Sequence, residues 1–214
     1  METILSLSQN FYKLVGKRLF DLLLAIILLP LIIIIIIITG IILFLVEHDK
    51  IFFKQIRVGK LNKPFLIWKF RTMTSAKNDC VATTERNWPY GIPDNFVFKE
   101  NLEDPRITKL GKWLRQLSID ELPQYFNVIK GDMSFIGPRP EVPAFTKYYN
   151  DHQNKRLDVK PGITGWAQVN GRSNISHGEK IEYDRYYVEQ YSFKMDLKIL
   201  WKTVINILKR EGAY

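Results

Sequence analysis

Polar and apolar residues along this chain fall into distinct regimes. From Leu22 to Val46 there are 25 consecutive residues without a charge, including the isoleucine run Ile32 to Ile38. As a helix this run measures about 37 Å, against roughly 30 Å of bilayer hydrocarbon, so it predicts a membrane helix. Ile51 to Val58 and Phe65 to Met73 are rich in aromatic and β-branched residues, with Gly59, Asn62 and Pro64 between them, which predicts a β-hairpin. Ser75 to Asp104 carries Pro89, Gly91 and Pro93 and reads as a long loop or flap. Helical spacing returns over Thr108 to Leu117, with Leu110, Trp113, Leu114 and Leu117, and continues over Leu122 to Ile129. A further helix is predicted over Val142 to Arg156. Met195 to Lys209 places Leu197, Leu200, Trp201, Val204 and Leu208 on one side, and Lys198, Lys202, Lys209 and Arg210 around the rest. A helix lying in a membrane interface and an amphipathic helix facing a core share that pattern. The fold class is therefore α+β and mostly helical. An N-terminal segment, 1–50, carries the membrane helix; a small domain, 51–214, carries a short β-hairpin and amphipathic helices.

The flanks of the apolar run add a constraint. Lys13, Lys17 and Arg18 precede it, and Lys50, Lys54, Arg57 and Lys60 follow. Basic residues favour the cytoplasmic side, so both ends compete for the same side. A helix that enters, bends and returns satisfies both flanks; a plain span satisfies one. Pro30 supplies a cause for a bend, because it removes a backbone bond and clashes with the preceding turn. A cleaved signal peptide fits less well: the run is too long and no small-x-small site follows before Glu47. Asp21, at the start of the run, is expected to pair with Lys17 or Arg18 at helical spacing and lock the helix where it meets the membrane.

Charge and composition narrow the partners. The 214 residues carry a net charge of +9, which favours anionic partners such as phosphates and lipid headgroups. Lys and Arg are dispersed among 22 acidic residues with no stripe or nucleic-acid motif, so nucleic acid is not the expected partner. The single cysteine, Cys80, forms no internal disulfide, and His48, His152 and His177 show no zinc-ligand spacing.

The stretch from Ser118 to Pro140, SIDELPQYFNVIKGDMSFIGPRP, concentrates the chemistry. Asp120 and Glu121 stand just ahead of an apolar periodic segment. Ser118-x-x-Glu121 matches a capping box, but Pro123 then falls where a helix needs a backbone donor, so a helix with Asp120 or a later residue as N-cap fits better. Asp120 is then either a cap or a reactive group. Two carboxylates at such a position suit Mg²⁺, a hard ion that binds oxygen ligands and bridges to phosphates; one of them can instead attack phosphorus. Pro138 and Pro140 restrict Arg139 and aim its guanidinium, a group suited to bidentate grip of a phosphate. Arg115 precedes Asp120 by five residues and can approach the same site. The tight turn Pro161-Gly162-Ile163-Thr164-Gly165-Trp166, followed by Gln168, Asn170 and Arg172, offers backbone donors, an aromatic face and amides for a nucleotide or sugar.

With these segments in place the chain strongly resembles the bacterial sugar transferase family, the monotopic polyprenyl-phosphate phosphoglycosyl transferases. The motifs that carry the resemblance are Lys17-Arg18-Leu19-Phe20-Asp21, Lys69-Phe70-Arg71-Thr72-Met73, Asp104-Pro105-Arg106-Ile107-Thr108, the Ser118–Pro140 stretch and Pro161 through Arg172. The resemblance implies the small form of the family, with a re-entrant helix in one leaflet of the bacterial inner membrane and a catalytic domain on the cytoplasmic face whose active site is surrounded by interfacial amphipathic helices. It implies transfer of a phospho-sugar from a UDP-sugar to polyprenyl (undecaprenyl) phosphate, with release of UMP, as the first step of glycan assembly. It makes Asp120 the nucleophile of a phosphosugar-aspartyl intermediate, Glu121 a Mg²⁺ ligand beside Asp120, and Arg139 a phosphate holder. Arg71, Arg115, Pro138, Thr164, Trp166, Gln168, Asn170 and Arg172 become candidates for the substrate site, and Lys17, Arg18, Asp21 and Pro30 mark where the helix enters and breaks. Two departures stand out: Pro30 falls about one turn earlier than the family's proline, and Ser75 to Asp104 is longer than in the smallest members. Two other classes remain on the residues alone: a membrane-anchored, metal-dependent diphosphate hydrolase using Asp120 and Glu121, and a basic membrane-bound module that binds anions.

Overall fold

The computed structural model describes residues 11–74, 88, 91–97, 104–171 and 174–209. Cys80, Arg172, Arg210 and most of the Ser75–Asp104 stretch lie outside them. A π-helical turn, Tyr12–Gly16, leads into α1, Lys17–Glu47. This helical stretch is long and apolar enough to cross a membrane by length and composition. The helix continues through Pro30, where the sequence predicts a break. Proline removes only the N–H that the Ile26 carbonyl would accept; one residue away, the Ala25 carbonyl is stabilised from outside the helix by the Tyr125 hydroxyl, which donates to it at 2.6 Å.

One side of α1 is buried along its length, at Asp21, Ala25, Ile32, Ile36, Thr39, Gly40 and Leu43. That stripe follows the three-to-four-residue helical repeat. It belongs to the same core as Ile67, Phe70, Leu114, Tyr125, Val128, Met133 and Ile136. The opposite side, including Leu23, Ile26, Ile27, Leu31, Ile34, Ile38, Ile41 and Leu45, is exposed.

Asp21 does not form the expected intrahelical ion pair. Its carboxylate accepts from the Ser134 hydroxyl at 2.8 Å and the Phe135 amide at 3.1 Å. Lys17 turns instead to Asp196, at 2.5 Å, and Arg18 donates to the carbonyls of Val128 and Ile129. A buried carboxylate is better satisfied by fixed donors in the core than by flexible neighbours on its own helix.

After α1 the hairpin forms as predicted, β1 (Phe52–Val58) antiparallel to β2 (Pro64–Phe70), with Lys54 opposite Trp68 and Ile56 opposite Leu66. Helix α2, Lys109–Gln116, starts at Thr108, whose hydroxyl accepts from the Gly111 amide as a side-chain N-cap. Helix α3, Gln124–Lys130, packs against α1 and β2, and Gly131 ends it in the left-handed conformation (φ 95°) that glycine adopts readily. Strand β3, Ser134–Ile136, pairs in parallel with β4, Gly162–Thr164.

Between these strands the predicted 142–156 helix is broken into α4, Pro143–Thr146, and α5, Asp151–Asn154, followed by a 3₁₀ turn, Lys155–Asp158. Asn150 causes the break: it restarts the helix with a full capping box to Gln153. Helix α6, Trp166–Asn170, follows β4. Helix α7, His177–Gln190, opens on a second capping box between Ser176 and Glu179.

The last helix, α8, spans Phe193–Leu208. Asp196 and Ile199 are buried, while Leu197, Trp201, Val204 and Leu208 are exposed. Of the apolar face read from the sequence, Leu200 packs against the core and the other four residues point away from it, so most of that face is turned outward, as the interfacial alternative requires. The Asp196 carboxylate accepts from Tyr12, Lys17 and Tyr187, so it joins the start of α1 to α7 and α8.

Candidate active site

The acidic pair sits on a turn made by local backbone geometry. Ser118 adopts a left-handed conformation (φ 56°, ψ 20°) after α2, and Ile119–Glu121 form one 3₁₀ turn before α3. Pro123 takes the N-cap of α3, where its missing N–H is harmless. Asp120 is thus not a helix cap, and the Ser118 side chain makes no capping bond.

Glu121 is gripped from two directions. Arg139 binds it in a fork, Nη2 to Oε1 at 2.7 Å and Nη1 to Oε2 at 3.1 Å. Lys69, on β2, donates to Oε1 at 2.6 Å. Burial alone would raise the Glu121 carboxyl, but the Arg139 guanidinium and Lys69 ammonium overcome it and hold the group well below the usual carboxylate range. Asp120 is the contrast. It is 8% exposed, and its carboxylate accepts no hydrogen bond from the described residues. Burial pushes it up to about 6, reinforced by Glu121 and opposed by Lys69, Arg115 and Arg139. Two adjacent carboxylates therefore hold different states: one fixed and ionised, the other unpartnered and poised near neutrality, a pairing characteristic of reactive sites.

Each cation is placed by its own element. Ile67 is 2% exposed, and the period-two pattern of β2 sends Lys69 to the same face, toward Glu121. Gly111 lets α2 press against the end of β2; a Cβ there would lie 2.2 Å from the Thr72 carbonyl. That approach brings Arg115 to the Thr72 hydroxyl, 2.9 Å from its Nε, and close enough to act on Asp120. Arg139 leaves β3 through Gly137, whose backbone touches that of Gly162 and Gly165 so closely that a Cβ at Gly162 would meet the Gly137 nitrogen at 2.1 Å. The Gly137 amide donates to the Thr164 carbonyl, and the Pro138 carbonyl accepts from the Gly162 amide. The glycines of the Pro161–Trp166 segment thus set the Arg139 loop.

The remaining candidates lie elsewhere. Arg71 donates to the Lys50 carbonyl and approaches Asp49 at 3.9 Å, beyond the end of α1. The Thr164 hydroxyl meets that of Thr203 on α8 at 2.8 Å, and the Asn170 side chain accepts from Lys202 at 2.7 Å. Lys198 and Lys202 stand over the Trp166 ring at 5.2 and 4.9 Å. The Gln168 amide is buried, and neither end is hydrogen-bonded among the described residues. Thr164, Trp166 and Asn170 thus form a second cluster facing α8, and Arg172 falls outside the described residues. A separate cavity of about 490 Å³, lined by Asp94, Asn150, Gln153 and Glu179 among others, contains neither carboxylate of the pair. Lys69 is the site residue that the sequence reading left unassigned; a lysine in phase with buried Ile67 was its signal.

The donors can be tested against a hard divalent ion. Among the described residues no group of three or more His, Cys, Asp or Glu side chains comes together for a metal. Among the described residues neither Asp120 oxygen is hydrogen-bonded, and Glu121 Oε2 has one partner, at 3.1 Å. Mg²⁺ is commonly held by one or two carboxylates together with substrate phosphates and water, and the pair fits that pattern.

The sequence of the chain matches the family model described as bacterial sugar transferase over residues 12–210. It is 45% identical to an uncharacterized sugar transferase, EpsL, of Bacillus subtilis, over 93% of this chain and 90% of that protein. It is 37% identical to the UDP-glucose:undecaprenyl-phosphate glucose-1-phosphate transferase of Escherichia coli, over 92% of this chain and 41% of that protein. It is 39% identical to the UDP-N-acetylgalactosamine-undecaprenyl-phosphate N-acetylgalactosaminephosphotransferase of Aeromonas hydrophila, over 92% of this chain and 44% of that protein. The chain spans less than half the length of the latter two. A match from the start of the long helix to the end of α8, taking in the acidic pair and the Arg139 loop, places this chain in the bacterial sugar transferase family.

Proposed function

We propose that the protein transfers a phospho-sugar from a UDP-sugar to polyprenyl phosphate, through a phosphosugar carried on Asp120. The observation that carries this reading is the asymmetry of the pair: Asp120 buried and unpartnered beside a Glu121 clamped by Arg139 and Lys69. The names of the Escherichia and Aeromonas relatives supply the class of donor and acceptor.

In the first step an Asp120 oxygen attacks the sugar-bearing phosphorus of the donor. The new O–P bond forms as the bond to the UMP oxygen breaks, and UMP leaves with the electron pair. In the second step an oxygen of polyprenyl phosphate attacks the same phosphorus. The aspartyl–phosphate bond breaks, Asp120 returns as carboxylate, and the product is a polyprenyl diphosphate sugar. Lys69, Arg115 and Arg139 surround the carboxylate with positive charge that offsets the charge developing on the transferring phosphoryl group. Asp120 and Glu121 would hold Mg²⁺ with the donor diphosphate, and the ion would supply charge neutralisation there. Glu121 keeps Arg139 and Lys69 in place beside Asp120.

The two partners differ in solubility, and a covalent intermediate lets each react in turn. Both ends of α1 touch the same domain: Asp21 meets Ser134 near the start, and Gly40 and Leu43 are buried near the end. Those contacts, with basic flanks on both sides, support a helix whose two ends both lie at the cytoplasmic face of the inner membrane. The outward apolar face of α8 supports a domain lying on that surface. No observation favours the hydrolase or the anion-binding module.

The test is UMP release by detergent-solubilised protein given Mg²⁺, polyprenyl phosphate and a panel of UDP-sugars, with Asp120→Asn alongside. Without acceptor, intact-mass measurement should show one phospho-sugar added to the wild type and none to the variant. Steady UMP release that needs no acceptor, or an unmodified protein after donor exposure, would overturn the proposal.

A further inference from the structure

Behind the Arg139 loop lies a buried ion cluster that the reaction above does not use. Arg156, in the 3₁₀ turn before β4, is 1% exposed, and its donors are all engaged. Nε and Nη2 bind Asp184 Oδ2 at 2.9 and 2.6 Å, while Nη1 binds Glu141 Oε1 at 3.0 Å and the Tyr149 hydroxyl at 2.9 Å. The remaining Nη2 hydrogen goes to the backbone carbonyl of Arg139, at 3.1 Å. A guanidinium has five N–H donors in a rigid planar fork. Two carboxylates and a phenol fix that plane here, so the last donor has a single direction, and the Arg139 carbonyl lies along it.

The same loop is held at its next two carbonyls. Pro140 O accepts from Arg57 Nη1 at 3.2 Å, and Glu141 O accepts from the Val58 amide at 2.8 Å. The Glu141 side chain is bound by Lys180 as well as Arg156. Three consecutive carbonyls, 139 to 141, are thus each anchored, and Arg156 supplies the anchor directly beneath the residue that grips Glu121.

We propose that Arg156 is a positioning residue: it fixes the backbone of Arg139 so that the Arg139 guanidinium stays on Glu121 and beside Asp120. This rests on the transferase reading for its kinetic readout only. Lysine at 156 keeps the charge that Asp184 and Glu141 require, but its single ammonium cannot reproduce a five-donor fork.

The experiment is a double-mutant cycle on the full-length protein with Arg156→Lys and Arg139→Ala, reading single-turnover UMP formation. Hydrogen exchange of the Gly137, Arg139 and Glu141 amides, the N–H groups that residues 137–141 carry, serves as a readout independent of turnover. Arg156→Lys alone should slow UMP formation ten- to a hundredfold, in line with the cost of small misplacements of a catalytic group. It should also speed exchange in 137–141. In the Arg139→Ala background the same substitution should change the rate by less than threefold, because the residue it positions is gone. Multiplicative losses in the cycle, or unchanged exchange in 137–141, would overturn the proposal. If Arg156→Lys does not fold, Tyr149→Phe replaces it, removing one bond to the guanidinium at constant charge. A two- to fivefold loss, again seen only with Arg139 present, is then expected, and a loss independent of Arg139 refutes it. If wild type releases no UMP from any donor, the transferase reading fails, and exchange in 137–141 still decides the role of Arg156.

Discussion

Replacing Lys69 by methionine isolates the electrostatic contribution that keeps Asp120 ionisable. Burial raises Asp120 to about 6, and Lys69 is the largest of the charges that pull it back down. An opposite charge at close range moves a carboxyl by about 1–3 pH units, and the Lys69 ammonium is bonded to Glu121 rather than to Asp120, so the low end applies. Methionine fills similar volume without the charge. On the proposed reaction the acid limb of the first half-reaction should therefore lie near pH 6 in wild type and move up by about one pH unit in Lys69→Met, equivalent to roughly 1.4 kcal/mol of lost preference for ionised Asp120. Above both limbs the rates should converge to within the smaller loss caused by weaker phosphate binding. The assay is the single-turnover UMP burst from pH 5 to 9 without acceptor, which avoids titration of the polyprenyl phosphate. A limb that stays put, or moves to lower pH, would refute the assignment of both residues.

Asp120→Asn should stabilise the protein. A carboxyl raised in the folded state contributes stability below the unfolded value of 3.8 and loses it as pH rises through about 6, so the gain should be about 1–3 kcal/mol at pH 8 and vanish at pH 4, read by denaturant midpoints. Arg139→Ala should lower the rate of UMP formation by about 10²–10³, with Glu121 left near Lys69 alone; a loss below fivefold would remove Arg139 from the site. Gly162→Ala should abolish folded protein on size-exclusion, since the new Cβ meets the Gly137 nitrogen at 2.1 Å; a soluble, active variant would contradict the packing. Trp201→Glu, on the outward face of α8, should weaken the binding of detergent-extracted protein to anionic vesicles at least tenfold while leaving its thermal midpoint within about 2 °C; a midpoint collapse instead would make that face part of a core.

Features governed by local patterns were legible in the sequence. The hairpin, α2 and α8 followed from periodicity, and Asp120, Glu121, Arg115 and Arg139 do meet in space. Other features depended on distant partners. The period of α7 is blurred because Asp184 lies buried on it, which is possible only through Arg156; its Ser176–Glu179 capping box was the available sign. Strands β3 and β4 are three residues each, too short for a period-two signal, and glycine contacts fix their pairing. Asp21 was placed in the wrong ion pair because helical spacing sees only its own helix, while its donors come from residues 134 and 135.

The buried stripe of α1 bears on how the protein can be handled and how it works. Ala25, Ile32, Ile36 and Leu43 share one core with α2 and α3, and Asp196 depends on Tyr12 and Lys17. Cutting the chain ahead of the hairpin would not release a soluble enzyme; it would strip a wall from the interior and strand a carboxylate without its cation. Asp120 stands one turn before α3, and α3 packs directly on α1. Asp120 therefore has no tether on which to swing: its position relative to α1 is set by packing, and in the proposed reaction the acceptor phosphate would have to come to it.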